Sequence, residues 1–149
     1  MYVVTILERP KAKERPRITV RGFRRSGGKE RNARWNPDKP PGPVGAHVYT
    51  PKATLEYEQL VAAEALAQGV RRIEGPVGIE AEFYVLRGRS EPDADNLLKA
   101  LFDGLKGVAY DDDRQIVYID AKKVYVASRS EQKTVARIGK ADEFERAPT

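Results

Sequence analysis

The stretch PDADNLLKALFDGLKGVAYDDDRQ, from Pro92 to Gln115, is the segment around which the rest of the chain can be arranged. Its centre places Leu97, Leu101 and Leu105 at helical spacing, and a glycine follows where a helix would end. The pattern therefore predicts an amphipathic helix over about residues 95–106. Its apolar face needs a sheet to cover, and both of its ends carry acidic residues.

Carboxylates stand at both ends of this predicted helix. Asp93 and Asp95 lie two residues apart just before it, so in extended backbone both side chains point the same way and can approach one cation. The run Asp111, Asp112 and Asp113 follows the helix, and three successive acids repel one another unless cations lie near. The chain has no cysteine and one histidine, so a metal site here needs carboxylate ligands, which suit Mg²⁺ or Mn²⁺.

Each of these residues also has a simpler structural interpretation. Asp95 can be the N-cap of the helix, and Asp93 can be a solvated turn residue. Lys99 lies one turn after Asp95, where it either forms an ordinary i,i+4 ion pair or reaches a substrate phosphate. A calcium-binding EF-hand is excluded, because its loop needs an oxygen ligand and a glycine where Leu97 and Leu98 stand.

Positive charge is concentrated in the first third of the chain. The 149 residues carry a net charge of +5, yet residues 1–52 hold 13 Lys/Arg against 4 Asp/Glu, and the remainder is net negative. Clustered cations bind polyanions by releasing counterions, although a solvated basic tail is the alternative. Residues 22–45 are rich in Gly, Pro and Arg and are predicted to form a flexible basic loop. Phe23 and Trp35 in that loop either stack on unpaired bases or pack back on the domain.

Apolar periodicity predicts one α+β domain over residues 1–149, with a small mixed β-sheet and helices packed mainly on one face. The sequence has no leader-like start and no apolar run near 20 residues, so we expect a cytoplasmic protein outside the membrane. Strands are expected over residues 2–7, 18–20, 77–85, 115–126 with a bend near Ala121, and 134–138; a second helix is expected from Thr50-Pro51 to just before Gly69, and a loose polar tail over 140–149.

The pattern D-x-D-N-x-x-K, then a helix, then D-D-x-Q resembles the RusA-type Holliday junction resolvases, a family of crossover junction endodeoxyribonucleases. The two halves of the pattern are residues 93–99 and 112–115 in this chain. Arg15-Pro16-Arg17, Tyr49-Thr50-Pro51-Lys52 and Tyr57-Glu58 are also similar to family segments. The composition of residues 22–45 and the extra acid Asp111 depart from the family pattern.

The resemblance implies a homodimeric, Mg²⁺-dependent endonuclease, bacterial or phage-encoded, that nicks four-way DNA junctions symmetrically. By motif position it implies that Asp93, Asp95 and Asp113 are metal ligands and act in catalysis with Lys99. Asp103 matches a recurrent family acid, and Asp112 is a further candidate ligand. The expected contacts to branched DNA are basic residues before the predicted domain core, namely Arg15, Arg17, Arg24, Arg25, Arg31, Arg34 and Lys52.

Three other functions remain open from the sequence. The same carboxylate chemistry serves a metal-dependent nuclease that acts on flaps or other branched DNA. A non-catalytic nucleic-acid-binding module would use the acids only as helix caps and in ion pairs. A carboxylate metal-binding protein unrelated to DNA would leave the basic first third unexplained.

Overall fold

The computed structural model describes residues 1–14, 17–20 and 46–144 of the chain. In chain order the elements are β1 (Tyr2–Ile6), β2 (Arg17–Val20), β3 (Ala46–Tyr49), α1 (Lys52–Ala67), β4 (Val77–Leu86), α2 (Ala94–Leu105), β5 (Ile116–Val126) and β6 (Lys133–Lys140), with 3-10 turns at Asp113–Gln115, Arg129–Glu131 and Ala141–Glu143. None of the helices in this described part of the chain is long and apolar enough to cross a membrane.

The chain divides into two compact units, residues 15–51 and the remainder. In the smaller unit, β2 and β3 form an antiparallel pair in which Ile18 lies opposite Val48. The strand β3 was not expected, because its last two residues were interpreted as the lead-in to a helix. The loop predicted over residues 22–45 lies outside the described residues, and the expectation of a single domain remains a prediction.

The larger unit contains a four-stranded mixed sheet in the order β1-β6-β4-β5. Strand β6 is antiparallel to both of its neighbours, whereas β4 and β5 are parallel and are joined by α2. The only register irregularity between β4 and β5 lies between Val77 and Gly78 rather than near Ala121, where a bend was expected. The α+β class and the mixed sheet are confirmed.

Alternation along β4 separates a covered face of the sheet from an open face. Val77, Ile79, Ala81, Phe83 and Val85 are buried, while the residues between them from 80 onward are only partly buried. The two helices cover the face on which these buried β4 residues lie, because residues of both helices belong to the same hydrophobic core. The helix residues in this core include Tyr57, Val61 and Ala65 of α1 and Leu97, Leu101 and Leu105 of α2. Both predicted helices therefore pack on the same side of the sheet, as expected.

The two helices approach each other closely at Gly104. A Cβ atom added to Gly104 would lie 2.6 Å from the Cβ atom of Val61 and 3.1 Å from the carbonyl oxygen of Glu58. Real Cβ atoms do not approach other atoms that closely, so the absence of a side chain at residue 104 sets the distance between α1 and α2. This contact explains a glycine inside a helix, where its intrinsic propensity is poor.

The prediction of a loose tail from residue 140 was wrong for residues 140–144. Lys140 ends β6, and Ala141 is buried, with its N–H donating to the carbonyl oxygen of Pro76 at 3.0 Å. The Phe144 ring stacks on Tyr118, with 5.2 Å between the ring centroids. These contacts join the segment to residues far away in sequence, so its polar composition gave no sign of them; residues 145–149 lie outside the described residues.

Gly104→Ala is expected to destabilise the fold by about 1–2 kcal/mol, because overpacking against Val61 outweighs the roughly 1 kcal/mol of helix propensity that alanine adds. Urea unfolding followed by circular dichroism measures the change. The matched control is Gly88→Ala, where a Cβ atom would meet no atom within 4 Å and the shift should stay within about 0.5 kcal/mol. A Gly104→Ala protein that is more stable than the wild type would contradict the close contact.

Candidate active site

Asp93 and Asp95 are exposed carboxylates at the start of α2. Asp93 occupies the N-cap position, but its side chain makes no capping hydrogen bond. Asp95 lies within the first turn, so the simpler interpretation of Asp95 as the N-cap is wrong. Neither carboxylate has a hydrogen bond or an ion pair with any other described residue. Both are therefore available to a ligand, at the end of the helix where the backbone dipole favours negative charge.

Lys99 is exposed one turn farther along α2. Although Asp95 precedes it by four residues, the two side chains form no ion pair within 4.0 Å, and no other described acid pairs with Lys99. The i,i+4 ion pair that the sequence allowed between Asp95 and Lys99 is therefore not formed, whereas Lys52 and Glu56 of α1 do form such a pair, at 3.6 Å. The ammonium of Lys99 thus remains free among the described groups, beside the turn that carries Asp95.

The three acids that follow α2 have different roles. Asp111 pairs with the guanidinium of Arg72 at 3.0 Å. The Asp112 carboxylate accepts a hydrogen bond from the backbone N–H of Arg114 at 3.0 Å and caps the 3-10 turn. Asp113 is exposed and has no hydrogen bond or ion pair with any described residue. Of the three, Asp113 is therefore the carboxylate that the local structure leaves free.

Gln115 holds the acidic loop in place. Its side-chain amide N–H groups donate to the carbonyl oxygens of Ile73 and Gly75 at 2.9 and 3.0 Å. Its side-chain oxygen accepts from the backbone N–H groups of Asp111 and Asp112 at 2.8 and 3.2 Å. These four bonds tie the loop to the segment just before β4, so Asp113 lies at the end of the sheet where β4 and β5 begin.

The predicted metal ligands fall into two groups at different ends of α2. Asp93 and Asp95 lie at the start of the helix, at the end of the sheet where β4 finishes, and Asp113 follows the helix. A helix of 12 residues is about 18 Å long. Within the described residues, no three His, Cys, Asp or Glu side chains are grouped so as to hold a metal. The free carboxylate oxygens suit Mg²⁺ chemically, while their assignment to one site remains a prediction.

A cluster that the sequence did not reveal lies beside α2. The ammonium of Lys13 forms an ion pair with Asp103, and the Lys13 backbone N–H donates to the carbonyl oxygen of Asn96 at 3.0 Å. The hydrogen bond to Asp103 raises the pKa of Lys13, and the negative charges of Glu58 and Asp113 add to this shift. Lys13 and Asp103 are 90 residues apart in sequence, so no local pattern could connect them.

Glu58 is the member of this cluster whose carboxylate is disfavoured by burial. Its Oε1 atom is buried and has no hydrogen-bond partner among the described residues. Burial raises the pKa of Glu58, the nearby charge of Asp103 raises it further, and only Lys13 opposes the shift. Ionisation of Glu58 is therefore less favourable in the folded protein than in the unfolded chain.

A second cluster lies on the other side, next to Asp93. The Glu91 carboxylate accepts hydrogen bonds from Lys123 and Tyr125, and the bond from Lys123 lowers the pKa of Glu91. The guanidinium of Arg87 lies 4.3 Å from the centre of the Tyr125 ring. The pKa of Lys123 is raised chiefly by its bond to Glu91, and the charge of Asp93 contributes. The carboxylate of Asp93 thus lies close enough to Lys123 to act on its charge.

The structure describes few of the predicted DNA contacts. Lys52 begins α1, is exposed, and forms the ion pair with Glu56 described above. Arg17 begins β2. The remaining basic candidates, together with Phe23 and Trp35, lie outside the described residues, namely Arg15, Arg24, Arg25, Arg31 and Arg34.

Comparison with known protein families finds one match. The family model described as endodeoxyribonuclease RusA matches residues 8–132 of the 149-residue chain. The matched range includes both groups of free carboxylates, Lys99 and the basic segment, residues 22–45. No curated protein matches the chain.

Glu58→Gln is expected to stabilise the protein at neutral pH. A carboxyl group with a raised pKa in the folded state favours folding below its unfolded pKa, and this contribution is lost as the pH rises through the folded pKa. The stability difference between variant and wild type should therefore grow as the pH rises above 4.5 and then level off. Because the side chain is partly exposed, the gain should stay below about 1 kcal/mol.

Urea unfolding of both proteins at pH 4 and pH 7 tests this expectation. The matched control is Glu56→Gln, two residues earlier on the same helix, where an exposed carboxylate pairs with Lys52. That control should show no gain at pH 7, because it removes an exposed ion pair worth at most about 1 kcal/mol. An equal gain for both variants would show that burial of Glu58 is not the cause.

Proposed function

Because the chain belongs to the RusA endodeoxyribonuclease family, with residues 8–132 matching the family model, we propose that it resolves Holliday junctions by paired symmetric nicks in four-way DNA. The family match carries this proposal. We further propose that the enzyme is a Mg²⁺-dependent homodimer that works in the cytoplasm, where its DNA substrate lies. The two copies of a twofold dimer would offer two equivalent sites to opposing strands of a junction.

Asp93, Asp95 and Asp113 are the carboxylates that would ligate Mg²⁺. They are exposed, and none of them has a partner among the described residues, whereas Asp111 and Asp112 are engaged by Arg72 and by the turn. Hard carboxylate oxygens are the ligands that Mg²⁺ prefers, and Mn²⁺ accepts the same donor set. The two neighbouring acids that make local bonds are therefore the poorer candidates.

The free side chains suit phosphodiester hydrolysis. When bound, Mg²⁺ supplies Lewis acidity to a phosphodiester and lowers the pKa of water, so that a nucleophile is available at neutral pH. Lys99 would offset the negative charge that develops on the phosphate oxygens, a task suited to a compact ammonium. Its lack of an ion pair with any described acid supports this role, because an ammonium already neutralised by a carboxylate would attract phosphate less.

Affinity for the junction would come from the basic first third of the chain. The 13 Lys/Arg of residues 1–52 face only 4 Asp/Glu, and binding to DNA phosphates releases condensed counterions. Phosphate contacts of this kind position the DNA without reading its sequence. Affinity and cleavage are therefore assigned to different residues and can be separated by mutation.

Asp95→Asn is expected to bind a four-way junction as the wild type does and to lose cleavage by at least about 100-fold, since loss of a metal ligand should cost more than the 10–100-fold typical of outer-shell groups. Gel-shift assays in Ca²⁺ measure binding, and nicking of a labelled synthetic junction in Mg²⁺ measures cleavage. The matched control is Asp111→Asn, which removes an acid that already pairs with Arg72 and should retain cleavage. Cleavage by Asp95→Asn at the wild-type rate would overturn the site assignment.

The same assay with a panel of substrates tests the choice of DNA. Four-way junctions, flaps and plain duplexes are compared with and without Mg²⁺, and preferential paired nicking of the four-way junction is expected. Stronger cleavage of flaps would assign the protein to the broader class of branched-DNA nucleases. Binding without any cleavage of any substrate would support a non-catalytic module instead.

Neutralising Arg24, Arg25, Arg31 and Arg34 together should weaken junction binding and flatten its dependence on salt. Each lost phosphate contact lowers the slope of log K against log salt by about 0.9 on duplex DNA. Fluorescence anisotropy between 50 and 200 mM salt measures this slope. The control variant neutralises four exposed cations of the larger unit, namely Arg71, Lys106, Arg129 and Lys140. Equal slopes for the two variants would show that the basic segment is only a solvated part of the chain.

A further inference from the structure

The two outer edges of the four-stranded sheet differ in how they are protected. At the short strand β1, the side chain of Gln68 closes the edge. Its amide N–H donates to the carbonyl oxygen of Thr5, and its oxygen accepts from the Thr5 backbone N–H, both at 2.8 Å. The outward backbone groups of Thr5 are thereby satisfied within the chain, as expected of an edge that does not recruit another strand.

The edge at β5 has no such cover among the described residues. This strand is 11 residues long and, among the described strands, pairs only with β4. Apart from the turn bond at its start, in which the Ile116 N–H donates to the carbonyl oxygen of Asp113, no other described group bonds to its backbone. Its side chains include exposed apolar and aromatic groups, with Ile119 51% and Tyr125 44% exposed. A long edge of this kind is a template for pairing with a further strand.

The sequence of β5 complements itself when the strand is reversed. In IVYIDAKKVYV, a twofold axis at Ala121 sets Asp120 opposite Lys122 of a second copy, and Ile119 opposite the aliphatic stem of Lys123. Tyr125 then lies diagonally next to Ile119, within reach of an aromatic side chain. Because the axis repeats every contact, two opposite-charge pairs form rather than one.

We propose that β5 pairs antiparallel with β5 of a second copy of this chain, around a twofold axis at Ala121, to give one continuous eight-stranded sheet. This inference gives an interface to the homodimer proposed above. An isologous contact of this kind closes after two copies and leaves no further β5 edge free. The charges at Asp120 and Lys122, which on a solitary edge would discourage pairing, become attractive in this one register.

The faces of the sheet agree with this register. Ile119 and Ala121 lie beside Ile79 and Ala81 in β4, which belong to the helix-covered face, while Asp120 lies beside Glu80 on the open face. Partners in an antiparallel pair point to the same face, so apolar residues meet on the covered side and charges meet on the open side. A shift of the register by one residue would place Asp120 opposite the partner's Ala121 and remove the charge match.

The pairing of two β5 strands also changes which of the free carboxylates lie near one another. Asp113 comes just before β5, whereas Asp93 follows Pro92, whose carbonyl oxygen accepts from the Lys123 ammonium at 3.3 Å near the end of that strand. Antiparallel pairing sets the beginning of one β5 beside the end of the other. This β5–β5 interface, called the seam below, therefore brings Asp113 and the partner's Asp93 to the same side of the twofold axis. In one chain, by contrast, the two acids lie toward opposite ends of α2.

A single engineered cysteine tests the seam directly, because the chain has no cysteine of its own. Residues on the axis of an antiparallel pair have Cα atoms about 4.5–5.5 Å apart, within the range of a disulfide. Ala121→Cys should therefore form a covalent dimer under mild oxidation, without DNA or metal. The control is Val3→Cys, at an exposed position on the opposite edge strand, which should remain uncrosslinked.

Charge reversal tests the register. Asp120→Lys and Lys122→Asp should each raise the dimer dissociation constant about tenfold in analytical ultracentrifugation, because each sets like charges opposite one another twice. An equimolar mixture of the two variants should recover the wild-type affinity as a heterodimer. Both positions are exposed, and circular dichroism confirms that each variant is folded.

Three results would overturn the seam: a dimer that Ala121→Cys does not crosslink, crosslinking of Val3→Cys at the same rate, or variant homodimers as stable as the mixture. A monomeric wild type with slow hydrogen exchange along β5 would assign the edge to another segment of the same chain. None of these measurements uses cleavage. Results that contradict the seam would therefore not affect the nuclease proposal, which the Asp95→Asn assay tests separately. Likewise, a contradictory result in that assay would not affect the seam.

Discussion

The packing of α2 against β4 is the interaction on which the rest of the larger unit depends. Leu97, Leu101 and Leu105 are fully buried against the covered face of the sheet, and burying each such side chain stabilises the fold by about 1.5–3 kcal/mol. This packing fixes the rotation of the helix about its axis. Asp95 and Lys99 consequently face solvent, and neither side chain has a hydrogen bond or ion pair with the described residues.

The same packing determines where the acidic groups lie. Two parallel neighbours in a sheet must be joined by a crossover, and the crossover helix returns the chain from the end of one strand to the beginning of the next. Residues just before α2 and residues just after it are therefore at opposite ends of the β4–β5 pair. The separation of Asp93 from Asp113 follows from the topology, and a change of side-chain conformation does not remove it.

Elements with strong periodicity were predictable from the sequence, whereas long-range contacts were not. The alternation in β4 and the leucine spacing in α2 gave both elements to within about two residues, since burial on one face dictates each pattern. The segment around Ala141 is held by partners far away in the chain, and so is the pair Lys13–Asp103. Local composition therefore could not predict either contact. The acidic run predicted a site, but its members are distinguished only in the structure, by the ion pair of Asp111 with Arg72 and the capping bond of Asp112.

The free carboxylates and the free edge have the same physical character. A charge with no partner forms no ion pair in the fold and repels like charges nearby, and an uncovered row of backbone donors and acceptors is a template for pairing with other strands. The larger unit satisfies comparable groups elsewhere: Gln68 closes β1, Arg72 neutralises Asp111, and Lys13 neutralises Asp103. The chain therefore has the means to satisfy such groups. Where the described part of the chain leaves them open, at the ends of α2 and along β5, the partners that we propose come from outside one chain, namely a metal, a phosphate and a second strand.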